Sequence, residues 1–176
     1  TLMARLNRDG NAMFDQLTEE LSVPFTRCGS YVVALTDEQV ENVKMLYERG
    51  IRNGIPGLEI VSCEQLLEKE PAATPEAKAA LYAPTAGVVD PMLLTIALME
   101  NAVMNGVGYR LNYKVENIER IEGGYRITGT GENIEAECVI NAAGVYSDVI
   151  HNMVSDDPMT IIPRRGDYFL LDRTTG

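Results

Sequence analysis

The chain has 176 residues, 26 of them acidic and 15 basic, and a formal net charge of −11 at pH 7. Its length suits one compact domain, or one domain and part of another. The acidic balance disfavours nonspecific association with nucleic acid or anionic lipid. No apolar run reaches the roughly 18 residues of a membrane helix, and a hydrophobic content of 45% is that of an ordinary globular core.

Residues 2–21 carry Leu6, Met13, Phe14, Leu17 and Leu21 at helical spacing. Gly10 makes this one helix with a soft spot or two short ones, and Pro24 ends it. Arg5, Arg8 and Asp9 at its start leave no apolar core for a signal peptide. Residues 25–35 read as a strand. Thr36 or Asp37 caps a second helix, whose Asp37 and Glu38 suit the positive end of the helix dipole. A short extended piece follows at 57–62. Ser62 and Gln65 then form a capping-box pattern for a small helix that stops before Pro71. Residues 81–90 are extended and looping. Asp90 caps the next helix and Pro91 fits its first turn. That helix, 92–104, is apolar nearly all round and is expected to be buried.

Residues 115–122 and 125–129 alternate in polarity around Gly123 and Gly124, which predicts a hairpin. Gly129 and Gly131 mark a second hairpin turn rather than a dinucleotide loop. The third glycine and a following helix are both missing, and 133–140 reads as another strand. A helix over 146–154 and a long strand over 161–171, with Gly166 inside it, complete the pattern. The fold class is α+β: helices packed on an antiparallel or mixed sheet, or part of a larger α/β protein. Cys28, Cys63 and Cys138 contain no Cys-x-x-Cys pair. They predict no zinc site and no disulfide framework, but three buried thiols in a reducing, cytoplasmic setting.

Residues 139–148, Val-Ile-Asn-Ala-Ala-Gly-Val-Tyr-Ser-Asp, carry the main functional signal. An apolar strand end meets four positions with little side chain, then a helix start. Such a turn is either an ordinary connection or a wall against a nucleotide. His151, the only histidine, is a general base or a surface or capping group. Arg164 and Arg165 are adjacent, so on a strand they point to opposite faces. One of them faces a pocket and clamps a carboxylate or phosphate, or both are solvent-facing with an ion-pair neighbour. Tyr82, Thr85 and Tyr146 are packing groups or pocket-lining ones.

Four stretches together resemble FAD-dependent oxidoreductases of the D-amino-acid oxidase superfamily. The first is Val139-Ile-Asn-Ala-Ala-Gly-Val-Tyr-Ser-Asp148. The second is Lys114-Val115-Glu-Asn-Ile118, similar to the strand whose valine backbone meets the adenine. The third is Ile162-Pro-Arg-Arg-Gly-Asp-Tyr168, similar to the Pro-x-Arg-Gly-x-Tyr strand of the glycerol-3-phosphate dehydrogenase and L-2-hydroxyglutarate oxidase branches. The fourth pairs Tyr82-Ala-Pro-Thr-Ala-Gly-Val-Val-Asp-Pro91 with Arg8-Asp-Gly-Asn-Ala-Met-Phe14, and resembles the first of those branches most.

The resemblance implies oxidation of an alcohol carbon by hydride transfer to FAD, with glycerol 3-phosphate as substrate and a 2-hydroxy acid as the alternative. It implies that Val115, Ala142, Ala143 and Gly144 contact the adenosine side of FAD, that Arg164 or Arg165 holds the substrate anion, and that Tyr168 lines the pocket. Catalytic groups stay unassigned, and no metal is implied. Residues 1–90 would belong to the substrate-binding segment, 91–154 to the FAD domain, and 155–176 to a strand returning to the substrate domain. The Gly-rich loop that holds the pyrophosphate in the family is not in this sequence. The chain therefore reads as an excised segment, with no tight FAD binding of its own, no nucleic-acid partner, and a tendency to self-associate. A non-catalytic ligand- or protein-interaction domain is the reading from another class.

Overall fold

The structure is a computed structural model that describes residues 1–167. The chain divides into two units, Thr1–Val107 and the part from Gly108 onward.

In the first unit, α1 (Leu2–Glu20) is a single helix that runs through Gly10 without a break. The strand expected over 25–35 is two strands, β1 (Phe25–Thr26) and β2 (Ser30–Ala34). Gly29 separates them with a φ of +73°, and a Cβ there would lie 2.6 Å from the Tyr82 ring. Both the backbone angle and the close ring require glycine. α2 (Asp37–Arg52) starts at a full capping box. The Thr36 hydroxyl accepts from the Gln39 N–H, and the Gln39 side chain accepts from the Thr36 N–H. β3 (Glu59–Val61) leads to α3 (Cys63–Lys69), which Ser62 and Gln65 cap in the same reciprocal way.

β4 (Ala79–Ala83) is the centre of this unit. It pairs antiparallel with β2 on one side and β3 on the other, with Val33 and Val61 both opposite Ala80. Its side chains alternate between two small cores. Ala80 joins Val61, Leu66 and Ala77 under α3, with Tyr31 and Tyr82 stacked alongside. Leu81 joins Ala34 and Val43 under α2. Three alanines on β4 let helices approach both faces of the strand. β5 (Val88–Val89) then pairs with β1.

α4 (Pro91–Met104) is capped as expected, with the Asp90 carboxylate accepting from the N–H groups of Met92 and Leu93. The expected burial does not occur. None of its residues is buried, and Met92, Ile96, Val103 and Met104 are exposed. Its apolar surface runs all round, and no other described element of the unit makes extensive contact with it.

The second unit is a meander. β6 (Val115–Ile121) and β7 (Gly124–Gly129) form the hairpin expected at Gly123, and β8 (Ile134–Ala136) adds a third antiparallel strand through the second turn. Ile118 is its buried residue. On one face Arg126 bridges Glu119 and Glu135, its cross-strand neighbours, which together raise its already high pKa, Glu135 foremost.

Three expectations for the second unit need correction. The strand expected over 133–140 ends at Ala136, and Ile140 is 89% exposed. The helix expected over 146–154 is a 3₁₀ turn, Gly144–Tyr146, running into the short α5 (Ser147–His151). Residues 161–167 of the expected last strand are irregular. Both extended stretches share one cause. A strand needs a neighbour for its backbone hydrogen bonds, and no described strand pairs with either stretch. The thiols also differ from expectation. Cys28 and Cys138 are exposed, and only Cys63 is partly covered, its Sγ 3.6 Å from the Pro75 carbonyl oxygen.

Two outcomes follow in solution. In denaturant unfolding, Leu66→Ala costs about 2–5 kcal/mol because it leaves a hole between α3 and β4, whereas Ser62→Ala costs about 1 kcal/mol through the lost cap. In a timed thiol titration of the native protein, Cys28 and Cys138 react first and Cys63 last. A slow Cys138 would contradict its exposure.

Candidate functional site

The turn at 139–148 is organised by Asn141. Its Oδ1 accepts from the Ala143 N–H at 3.2 Å, and its Nδ2 donates to the Ser147 carbonyl at 2.8 Å. One side chain thereby closes the turn and ties it to the start of α5. Ala142, Ala143 and Gly144 are exposed. Gly144 sits at φ +58°, and a Cβ there would meet nothing within 4 Å. Glycine is therefore needed for the backbone angle and not for crowding. The result is a stretch of open main chain with almost no side chain over it.

Val115 lies in the same unit, half-buried at the start of β6 and opposite Gly129. The register shifts between Val115 and Asn117, so the backbone at Val115 departs from the regular ladder. From the other end of β6, Arg120 donates to the Val154 carbonyl at 3.1 Å, linking the meander to the chain just after α5.

Beyond α5 the backbone doubles back along it, and side chains of α5 and its C-cap hold it. His151 Nε2 lies 2.9 Å from the Asp157 carbonyl oxygen. That oxygen can only accept, so Nε2 carries the proton. Asn152 takes both backbone groups of Met159. It donates to the carbonyl at 2.9 Å and accepts from the N–H at 2.9 Å. The Asp148 carboxylate accepts from the Ile161 N–H at 2.9 Å and the Val149 N–H at 2.8 Å. The Ile161 N–H, with that of Val149 behind it, holds the Asp148 carboxyl below the usual carboxylate range, against an opposing desolvation.

Arg164 and Arg165 follow directly, and both are exposed. Arg165 Nε donates to Asp167 at 2.7 Å with 87% of its side chain exposed, a surface pair. Tyr168 lies outside the described residues. The structure thus places Ala142, Ala143 and Gly144 in one turn, Val115 on β6, and both arginines on the segment that α5 holds.

The first unit carries a cleft of about 620 Å³ between α1, the loop after α2 and Thr85. Arg27 spans one wall. Its Nη2 donates to Asp15 at 2.6 Å and to the Asn11 carbonyl at 2.8 Å, and its Nη1 reaches Asn11 Oδ1 and the Thr85 carbonyl. The guanidinium also lies over the Phe25 ring. Its hydrogen bond holds Asp15 below the usual carboxylate range, and Asp15 raises Arg27 in turn. With its donors spent on these groups, Arg27 joins α1 to the loop before β5 and offers little to a ligand. Thr85 lines the cleft, Tyr82 stacks on Tyr31, and Tyr146 is exposed.

Arg27 and Asn152 carry no motif in the sequence, and Asp148 enters only as the last residue of the 139–148 stretch. Their partners are backbone atoms or residues far along the chain, which composition and spacing do not reveal. Among the described residues, no group of three or more His, Cys, Asp or Glu is arranged to hold a metal ion, and no helix is long and apolar enough to cross a membrane.

The comparisons with known proteins agree with this architecture. The sequence model of the DAO family, described as FAD dependent oxidoreductase, matches residues 1–176. A glycerol 3-phosphate dehydrogenase of Caloramator mitchellensis is 49% identical over 176 residues, covering 100% of this chain and 37% of that protein. The mitochondrial L-2-hydroxyglutarate dehydrogenase of Homo sapiens is 31% identical over 97% of this chain and 39% of its own length. Among solved structures, the FAD-bound, dithionite-reduced L-alpha-glycerophosphate oxidase of Mycoplasma pneumoniae superposes with a TM-score of 0.77 at 27% identity, over 90% of this chain and 43% of that one. The chain spans about two fifths of the length of these relatives. With the family model covering every residue and the fold matching a flavin-bound relative, the chain belongs to the DAO family of FAD-dependent oxidoreductases.

Proposed function

We propose that the protein carrying this chain oxidises glycerol 3-phosphate to dihydroxyacetone phosphate, with FAD as its cofactor. The observation that carries this reading is the 49% identity, over all 176 residues, to a glycerol 3-phosphate dehydrogenase. The 31% identity to the human L-2-hydroxyglutarate dehydrogenase favours a second reading, oxidation of a 2-hydroxy acid. Both substrates join a secondary hydroxyl to an anionic group, so one cationic side chain near the reacting carbon serves either.

The residues present fit one side of FAD. Ala142, Ala143 and Gly144 offer exposed main chain with open space above Gly144, which suits the flat face of an adenosine. Val115 would add its irregular backbone at the start of β6. The turn that binds a pyrophosphate is not among the residues of this chain. When bound, FAD supplies the hydride acceptor, a chemistry no side chain provides. The chain's own part is to bind and orient. Arg164 or Arg165 holds the substrate anion through the planar guanidinium fork, and Tyr168 lines the pocket beside it. The small-molecule anion is the partner, and nucleic acid is not.

The full-length protein is expected to show visible flavin absorbance that bleaches on anaerobic addition of glycerol 3-phosphate. Bleaching by L-2-hydroxyglutarate instead would select the second reading, and a colourless, folded protein would refute both. Replacing the anion-holding arginine by alanine raises KM by about 10- to 100-fold, the loss of a hydrogen bond to a charged group. The chain of residues 1–176 by itself binds FAD weakly in calorimetry. It also associates in light scattering, because α4 exposes apolar surface on every side.

A further inference from the structure

We infer that Asp148, His151 and Asn152 are positioning residues, which set the register of the segment after α5 and through it the placement of Arg164 and Arg165. The substrate role of those arginines rests on the proposed function. The register device itself is on the page.

The held backbone groups belong to Asp157, Met159 and Ile161. They recur every second residue, the period of an extended chain. The segment is therefore bonded as an edge strand would be, except that its partners are side chains of one short helix and its C-cap. Ser155 adds a local brace, its hydroxyl lying 3.2 Å from both the N–H and the carbonyl oxygen of Asp157. α5 cannot shift without taking the segment with it.

From the clamped Ile161 N–H to Arg164 the chain advances three residues, a reach of at most about 10 Å. One of those residues is Pro163, whose ring fixes its φ and leaves few ways to bend. An arginine at that distance from a fixed point has its backbone placed by the clip, and only its side chain is left to adjust. Asn141 ties the other end of α5 to the Ala142–Gly144 turn. The same short helix therefore spaces the proposed cofactor wall from the proposed anion-binding arginines.

The test uses the full-length protein. Asn152→Ala removes two of the four backbone clips, and Asp148→Ala removes a third. Asp148→Asn keeps an oxygen that accepts from Ile161 and serves as the conservative rescue. Hydrogen exchange is expected to quicken by about two- to tenfold at the amides of Met159 and Ile161, while the β6–β7 hairpin keeps its protection. KM for the anionic substrate rises several-fold with kcat and flavin content nearly unchanged, and Asp148→Asn recovers much of the loss. In a double-mutant cycle, Asn152→Ala adds little to a variant that already lacks the anion-holding arginine.

Unchanged exchange at the amides of Met159 and Ile161 in both alanine variants would overturn the inference whatever the kinetics. So would a KM effect of Asn152→Ala that persists in full without the arginine. If exchange quickens but neither arginine variant alters KM, the substrate reading of Arg164 and Arg165 fails and the register device stands.

Discussion

Extended backbone that has no neighbouring strand must still bond its N–H and C=O groups, and in the second unit side chains meet that demand. Stretch 155–161 runs beside α5 with its backbone groups taken by a histidine, an asparagine and an aspartate. Turn 141–147 is held by Asn141 in the same way. Each of these bonds contributes only about 1 kcal/mol by itself. Together they order a region that has almost no buried core, where Ile118 of β6 is the one fully covered apolar side chain among the described residues. Backbone pairing therefore orders the meander, and polar clips order the candidate site.

The first unit is stabilised differently. β4 is covered on both faces, and its alanines let α2 and α3 come close without displacing β2 or β3. Order then spreads outward through Arg27, which fastens α1 to the loop before β5 by several hydrogen bonds at once. That arginine lies at a cleft wall and has the residue type expected of an anion site. Its bonds to Asp15, Asn11 and Thr85 argue against the role, since a guanidinium saturated by its own protein has no fork left to offer. Arg164 and Arg165 contrast with it. Both are exposed, and a single Asp167 meets Arg165.

Much of the fold was legible in the sequence because the signals were local. The two capping boxes, the Asp90-Pro91 helix start, the Gly123-Gly124 hairpin and the rejection of a dinucleotide loop at Gly129 each depend on residues within a few positions of one another. The failures share an opposite character. The apolar pattern of α4 predicts burial, but hydrophobicity states only that a surface seeks cover and not that this chain supplies it. Strand expectations at 137–140 and 161–167 rest on side-chain type, whereas a strand exists only if another lies beside it. At the site, the small residues 142–144 stood out through missing bulk. Asn141 was counted among them for the same reason, although its amide organises the turn. Asn152 acts on backbone atoms, which have no residue type to match, so no pattern announces it, and Asp148 enters the 139–148 stretch only as its last residue.

The prolines indicate how firmly the register after α5 is set. In the observed alignment the Met159 N–H faces Asn152 Oδ1 and the Ile161 N–H faces Asp148. Slipping the segment back by one residue would bring Pro158 opposite Asn152 and leave that oxygen without a donor, since proline has no N–H. Slipping it forward by two would bring Pro163 opposite Asp148, stranding a carboxylate whose low pKa depends on the Ile161 bond. A forward slip of one keeps the donors but turns every side chain to the other face, exchanging the directions of Arg164 and Arg165. The two prolines thus rule out two of the neighbouring alignments, and the register that Asp148 and Asn152 hold decides which arginine points which way.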